Sequence, residues 1–227
     1  MAAPLPIQIT VSRQLGSGGS ELGQRIACRL GFAHLDRQIL QHAARELDMS
    51  ESELANREER IQNFWVRVME TFSTGCFEYT VSPHLPRIVS DDALFEAEQR
   101  VLKHLAAKGP CVIVGRCGFH LLAGHTRLLK VFVHASRSFR IARMMKFYGA
   151  ANKTQAEQMM DSTDRDRERF IERYAGVSWH DARNYHISID MSLSGFDAAE
   201  EMIVSLVNRI SDRSSNNDSG RGLSPCR

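Results

Sequence analysis

Residues 7–30 constrain this chain more than any other stretch. Ile7–Ser12 (IQITVS) is rich in β-branched residues and carries no charge before Arg13, which predicts a buried strand. Glu21–Leu30 predicts a helix, with Leu22, Ile26 and Leu30 on one face and Gly31 placed as a C-cap. Between the two lie Gly16, Gly18 and Gly19, with Ser17 and Ser20 among them. A strand, a glycine loop and a helix in that order suit phosphate. Glycines let the backbone approach closely, amide N–H groups converge, and the helix N-terminus adds about half a positive charge.

Such a turn has three readings. It is a plain βα connection, a dinucleotide fingerprint, or a phosphate loop. The dinucleotide pattern is met by Gly16, Gly18 and an acid at Asp36, but its third glycine position holds Glu21. The phosphate-loop pattern wants lysine after Gly18 and meets Gly19, then Ser20; no lysine occurs before Lys103.

At 227 residues, one α/β domain with an insertion is expected rather than two full domains. The net charge of +2 excludes a general polyanion binder, so no nucleic-acid polymer is expected as partner. Five scattered cysteines without a C-x-x-C pair argue against structural zinc and fit a reducing cytoplasm. The N-terminus shows no signal-peptide pattern, and no apolar run reaches membrane-spanning length.

Further along, Phe32–Leu35, Cys111–Arg116, Leu128–Ala135 and His186–Asp190 read as strands that are apolar rather than alternating. Helices are expected at 39–47, from the capping box Ser50–Glu53 to about residue 73, from Asp91 or Asp92 to 108, from Ser136 or Ser138, and at Asp197–Ser211. Residues 74–91, with two prolines, read as a mobile connection. The apolar stripe Leu54, Ile61, Trp65, Val68 and Phe72 packs on the body, or alternatively forms a homodimer face. Apolar strands alternating with helices predict a parallel sheet covered on both faces, with ligands beyond the strands' carboxyl ends. Arg13 and the loop, Asp36–Arg37 and Gly115–Arg116 all fall there. Residues 212–227 are polar and read as a disordered tail.

Met159–Tyr174 is dense in charge, with Thr154 and Glu157 as a candidate cap. Arg165, Arg169 and Arg173 share one helix face and Arg167 lies off it. Such a run is either a solvated face, laced by pairs such as Asp161–Arg165, or a lid whose guanidiniums close over phosphates.

These segments together resemble the cytidylate kinase-like family of P-loop nucleoside monophosphate kinases. The resemblance rests on ITVSRQLGSGGSELGQRIA (9–27), LGFAHLDRQIL (30–40), VIVGRCG (112–118), LKVFVHASRSFRIARMM (129–145) and DRDRERF (164–170), in the family's order. It implies a P-loop NTPase fold: a five-stranded parallel sheet flanked by helices, in a single domain over 1–211. A helical monophosphate-binding insertion would span about 38–108 and an arginine-rich lid about 149–178. It implies a cytoplasmic enzyme that uses ATP and Mg²⁺ to phosphorylate a nucleoside monophosphate, most naturally CMP or dCMP.

By position, Gly16, Ser17, Gly18, Gly19 and Ser20 would cradle the ATP phosphates, with Ser20 as the Mg²⁺ ligand. Asp36, Arg37 and Arg116 would meet the acceptor, and Arg165, Arg167 and Arg169 would be the lid arginines. Three positions depart from the classical enzymes: Gly19 replaces the loop lysine, His42 stands where a monophosphate-binding arginine is expected, and Cys117 replaces an aspartate. Arg13 is the candidate substitute for the lysine. Two other classes remain: a nucleotide-binding regulatory protein without turnover, motivated by the absent lysine, and an NAD(P)-dependent oxidoreductase, motivated by Gly16, Gly18 and Asp36.

Overall fold

The computed structural model describes residues 6–36 and 92–219, with side chains given for all of these except 93, 94 and 213–219. The expected helices at 39–47 and 50–73, their apolar stripe, the connection at 74–91, and both Arg37 and His42 lie outside the described residues.

The chain runs through strand β1 (Gln8–Arg13), helix α1 (Gly19–Leu30) and strand β2 (Ala33–Leu35) before the undescribed segment. Helix α2 (Asp92–Lys108), strand β3 (Cys111–Val114), the short helix α3 (Gly118–Leu121) and strand β4 (Leu128–His134) follow. Helices α4 (Arg137–Phe147) and α5 (Lys153–Ala175) come next, then a 3-10 turn at Ala182–Asn184, strand β5 (Ile187–Asp190) and helix α6 (Met191–Ser219). The strands form one five-stranded sheet, ordered β2-β3-β1-β4-β5, and every pairing is parallel. This is the α/β P-loop NTPase architecture expected from the sequence.

Parallel neighbours need crossovers, and the helices supply them while covering both faces. On one face, Ile9, Val11, Val112, Val131, Val133 and Ile189 pack against Leu22 and Ile26 of α1 and against Ala199 and Ile203 of α6. On the other, Leu35, Ile113 and Cys111 meet Leu102 and Leu105 of α2. Beside them Phe132 of β4 anchors an aromatic cluster with Phe95, Phe119, Phe170, Trp179 and Tyr185.

The central strand is not apolar throughout, contrary to expectation. Ile7, Ile9 and Val11 alternate with Gln8, Thr10 and Ser12, and all six are buried. Alternation places the polar side chains on the α2 side. There Gln8 Nε2 donates to the carbonyls of Ala106 (2.7 Å) and Gly109 (3.0 Å), satisfying the C-terminal end of α2. The α2 helix holds the expected bounds. In α4, Ser136 is the N-cap and accepts from Phe139 N; in α5 the cap is Asn152, not Thr154, and it accepts from Gln155 N. The α6 helix bends at Gly195 (φ 65°, ψ −175°), a backbone region open essentially to glycine. It then continues to Ser219, past the boundary set at residue 211 from polarity. Propagation of a nucleated helix needs only backbone hydrogen bonds, so polar residues extend it at little cost.

Candidate active site

The strand C-termini converge on one edge of the sheet, and the glycine loop lies at their centre. Gly16 and Gly18 both adopt positive φ (77° and 87°), which opens the turn. Gly18 is the N-cap of α1 and contributes no side-chain cap, so no side chain at that position covers the first-turn amides. Ser17 is fully buried, and its hydroxyl donates back to the Gln14 carbonyl at 2.9 Å. Its hydroxyl therefore shapes the loop from within. Ser20 Oγ accepts from Arg13 Nε at 3.2 Å.

Leu15 fixes the loop to the rest of the protein. Its side chain packs with Met144 of α4 and with Ala156 and Met160 of α5. Its N–H donates to Asp164 Oδ1 at 2.8 Å, and its carbonyl accepts from Arg140 Nε at 2.7 Å. Arg140 also pairs with Asp164, and Arg167 Nη1 reaches the Arg13 carbonyl at 3.0 Å and Asp164 Oδ1 at 3.4 Å. Two guanidiniums, of Arg140 and Arg167, thus meet one carboxylate, with the Arg13 carbonyl beside them. Burial, and then the charge of Arg13, push the Arg167 guanidinium down to about 9.

The expected lid arginines separate into two groups. Arg167 turns inward as described, whereas Arg165 is exposed and Arg169 is 73% exposed. Arg169 pairs with Asp166 at 2.7 Å, and Arg173 pairs with Asp92 of α2 at 2.7 Å. The pair suggested for Asp161 is formed with Arg137 instead, as a two-pronged contact at 2.8 and 2.9 Å. That guanidinium holds the Asp161 carboxyl below the usual carboxylate range.

Arg116 sits at the end of β3 in a run of three left-handed residues, Gly115, Arg116 and Cys117 (φ 82°, 53° and 55°). Two non-glycine residues in that region store backbone strain of about 1–3 kcal/mol each. The turn directs Arg116 into the aromatic cluster, where it pairs with Glu98 of α2. Its guanidinium lies 5.1 Å from the Phe95 ring centre and 4.9 Å from that of Phe170. The Arg116 side chain is 8% exposed and that of Glu98 1%. Beside this cage, Tyr185 donates its hydroxyl hydrogen to the Trp179 carbonyl at 2.8 Å, and burial pushes the phenol up to about 12.

Asp36 lies just beyond β2, close enough to raise the proton affinity of His34, although burial dominates and lowers the imidazole overall. Position 21, where a dinucleotide fingerprint places its last glycine, holds Glu21 paired with Arg143 at 2.7 Å. The Arg143 guanidinium is stacked near the rings of Phe147 (4.9 Å) and Phe196 (5.3 Å). Asp164, Arg140, Arg143 and Glu98 were not foreseen as site residues. The Asp164-x-x-Arg167 spacing was a visible helix pair, but its contact with Leu15 joins residues 149 positions apart.

Among the described residues no group of three His, Cys, Asp or Glu side chains is placed to hold a metal ion. None of the described helices is long and apolar enough to cross a membrane.

A parallel sheet of this order with a glycine loop between β1 and α1 defines a P-loop kinase fold. The model of the cytidylate kinase-like family matches residues 8–193, and the chain belongs to that family. At that level it is a P-loop phosphotransferase of nucleotide-kinase type. Among solved structures it is similar to an uncharacterized protein from Eubacterium ventriosum ATCC 27560, with 20% identity and a TM-score of 0.66, covering 89% of this chain and 98% of that one. It is more distantly similar to a gluconokinase from Sinorhizobium meliloti 1021 (17% identity, TM-score 0.46, 97% and 100% covered). A shikimate kinase from Bacteroides thetaiotaomicron is as distant (12% identity, TM-score 0.46, 89% and 98% covered). A search of curated proteins finds no match.

Proposed function

We propose that the protein transfers the γ-phosphoryl group of ATP to a nucleoside monophosphate, with CMP or dCMP as acceptor. The observation that carries this reading is the glycine loop, open at Gly16 and Gly18, with Arg13 bonded to Ser20 at its end and Arg140 and Arg167 meeting Asp164 beside it. Those residues fit a polyphosphate. Amides of Gly16 to Ser20 would hold its oxygens, Arg13 would face the terminal phosphates, and Ser20 Oγ keeps a second lone pair for Mg²⁺. Bound MgATP would supply the phosphoryl group and neutralise charge during transfer.

The protein's share of the work is positioning and electrostatics. An acceptor phosphate oxygen is already anionic, so no general base is assigned. Asp36 and Arg37 would form the acceptor side. Arg116 would join them only by exchanging Glu98 for the acceptor phosphate, and Arg165 and Arg169 would approach from the exposed face of α5. The cytoplasm is the proposed compartment.

ADP release from MgATP with CMP, dCMP, UMP, AMP, GMP and dTMP as acceptors tests the reading. Acceptor-dependent release is expected, greatest with CMP or dCMP. The second reading, a nucleotide-binding regulator, is favoured by the attachment of Arg116 to Glu98. Tight MgATP binding with no release on any acceptor would establish it instead.

A further inference from the structure

The phosphate-loop pattern G-x-x-x-x-G-K-[ST], aligned on Gly18 and Ser20, calls for glycine at position 13 and lysine at position 19. This chain has Arg13 and Gly19, the same two residue types in function but with their places exchanged. The structure supplies a steric reason. A Cβ placed on Gly19 would stand 2.5 Å from Arg13 Cβ, 3.1 Å from Arg13 Cγ and 3.0 Å from Val133 Cβ. Positions 13 and 19 face each other across the ends of the loop, and only one of them has room for a side chain. In the common pattern that side chain rises from the helix; here it rises from the strand.

The Arg13 side chain then follows a course a loop cation needs. Its Nε donates to Ser20 Oγ at 3.2 Å. Its Nη1 lies where a Cβ on Gly115 would be, so a second glycine, at the end of β3, makes room for the guanidinium. The charge therefore stands between the first turn of α1 and the β3 terminus, next to the uncapped amides at Gly18. We propose that Arg13 and Gly19 are a reciprocal replacement of the glycine–lysine pair, with Arg13 as the cation for the terminal phosphates of a polyphosphate. This deepens the phosphoryl-transfer reading and rests on it for the identity of the ligand. An arginine in this role offers a planar two-pronged donor where lysine offers a point charge.

The exchange predicts non-additive behaviour, because each half makes sense only with the other. The test compares wild type with Arg13→Gly, Gly19→Lys and the double variant Arg13→Gly/Gly19→Lys. Binding of inorganic tripolyphosphate and of MgATP is measured by calorimetry, and thermal unfolding is measured without ligand. Arg13→Gly is expected to weaken tripolyphosphate at least about tenfold. Gly19→Lys alone should lower Tm and also weaken binding, because the added side chain collides with Arg13. The double variant should regain both, with affinity within a few-fold of wild type. Arg13→Gly/Gly19→Ala separates space from charge: it should fold like the double variant yet bind tripolyphosphate as weakly as Arg13→Gly.

A double variant no better than its worse single parent, in Tm or in affinity, overturns the exchange. Wild type that binds neither tripolyphosphate nor MgATP overturns it together with the proposed function. An intact cycle of coupled affinities with no acceptor-dependent ADP release leaves the exchange standing and removes only the kinase reading.

Discussion

Strands β1 and β3 end alike, each running from β-branched residues toward an arginine at the carboxyl edge of the sheet, yet their arginines have opposite surroundings. Arg13 is half-buried at the loop and bonded to Ser20. Arg116 is enclosed, with Glu98 as counter-ion and two rings as walls. A charge at the carboxyl end of a parallel strand is therefore not by itself a ligand-binding group. Its surroundings decide: a guanidinium enclosed with a buried carboxylate holds the fold, and one at the mouth of a glycine loop stands where an anion would bind.

The largest expected effect falls on the enclosed arginine. Arg116→Ala leaves Glu98 buried without a counter-charge and should cost about 3–5 kcal/mol of stability. Denaturant unfolding checks it, and Glu98→Leu/Arg116→Met should recover most of the loss. An Arg116→Ala variant as stable as wild type would place this arginine with Arg13 instead. Asp164→Asn keeps an acceptor for the Leu15 amide but removes the charge facing Arg140 and Arg167. A loss of about 2 kcal/mol is expected, with weaker MgATP binding because the loop is no longer fixed. If stability falls and nucleotide affinity does not, the clamp is structural only.

His34 sharpens the β1 side of the comparison. Burial lowers its proton affinity below the ordinary 6.5, with Arg13 adding to the effect and Asp36 opposing it. Between the lowered folded value and 6.5 the unfolded chain binds more protons, so stability rises with pH across that window and is complete above 6.5. Urea midpoints measured from pH 7.5 downward should fall below pH 6.5, less so in His34→Gln. His125 and His186, also lowered by burial, leave a residual slope in that variant. The smallest effect is expected at Arg169. Its exposed pair with Asp166 contributes less than about 0.5 kcal/mol, so Arg169→Ala should unfold like wild type. A fall in turnover with unchanged stability would then identify it as part of a closing lid.

Much of this was legible in the sequence. The strand, loop and helix at 7–30 declare themselves through β-branching, glycines and period, because each is a local property. The α5 pattern also separated Arg167 from the face shared by Arg165, Arg169 and Arg173. What spacing could not give was which face mattered. That depends on Leu15, whose partners lie on α4 and α5. Nor did periodicity reveal Gln8, Thr10 and Ser12 as a buried polar row, since their partners include the end of α2, about a hundred residues later. Arg116 matched a family motif by position, but its cage is built from Phe95, Glu98 and Phe170, on two other helices.

The attachment of Leu15 has a consequence for how the protein is made. The glycine loop leaves the ribosome early, but the carboxylate that takes the Leu15 amide is synthesised 149 residues later. Strand β1 likewise waits for both of its neighbours, which begin at Cys111 and Leu128. Until α5 has emerged, the nascent chain carries the glycines of the loop without the contacts that shape them. Nucleotide in the surrounding solution therefore has no formed site with which to assist early folding. Its stabilising effect arrives only once the chain beyond Asp164 is free to close over Leu15.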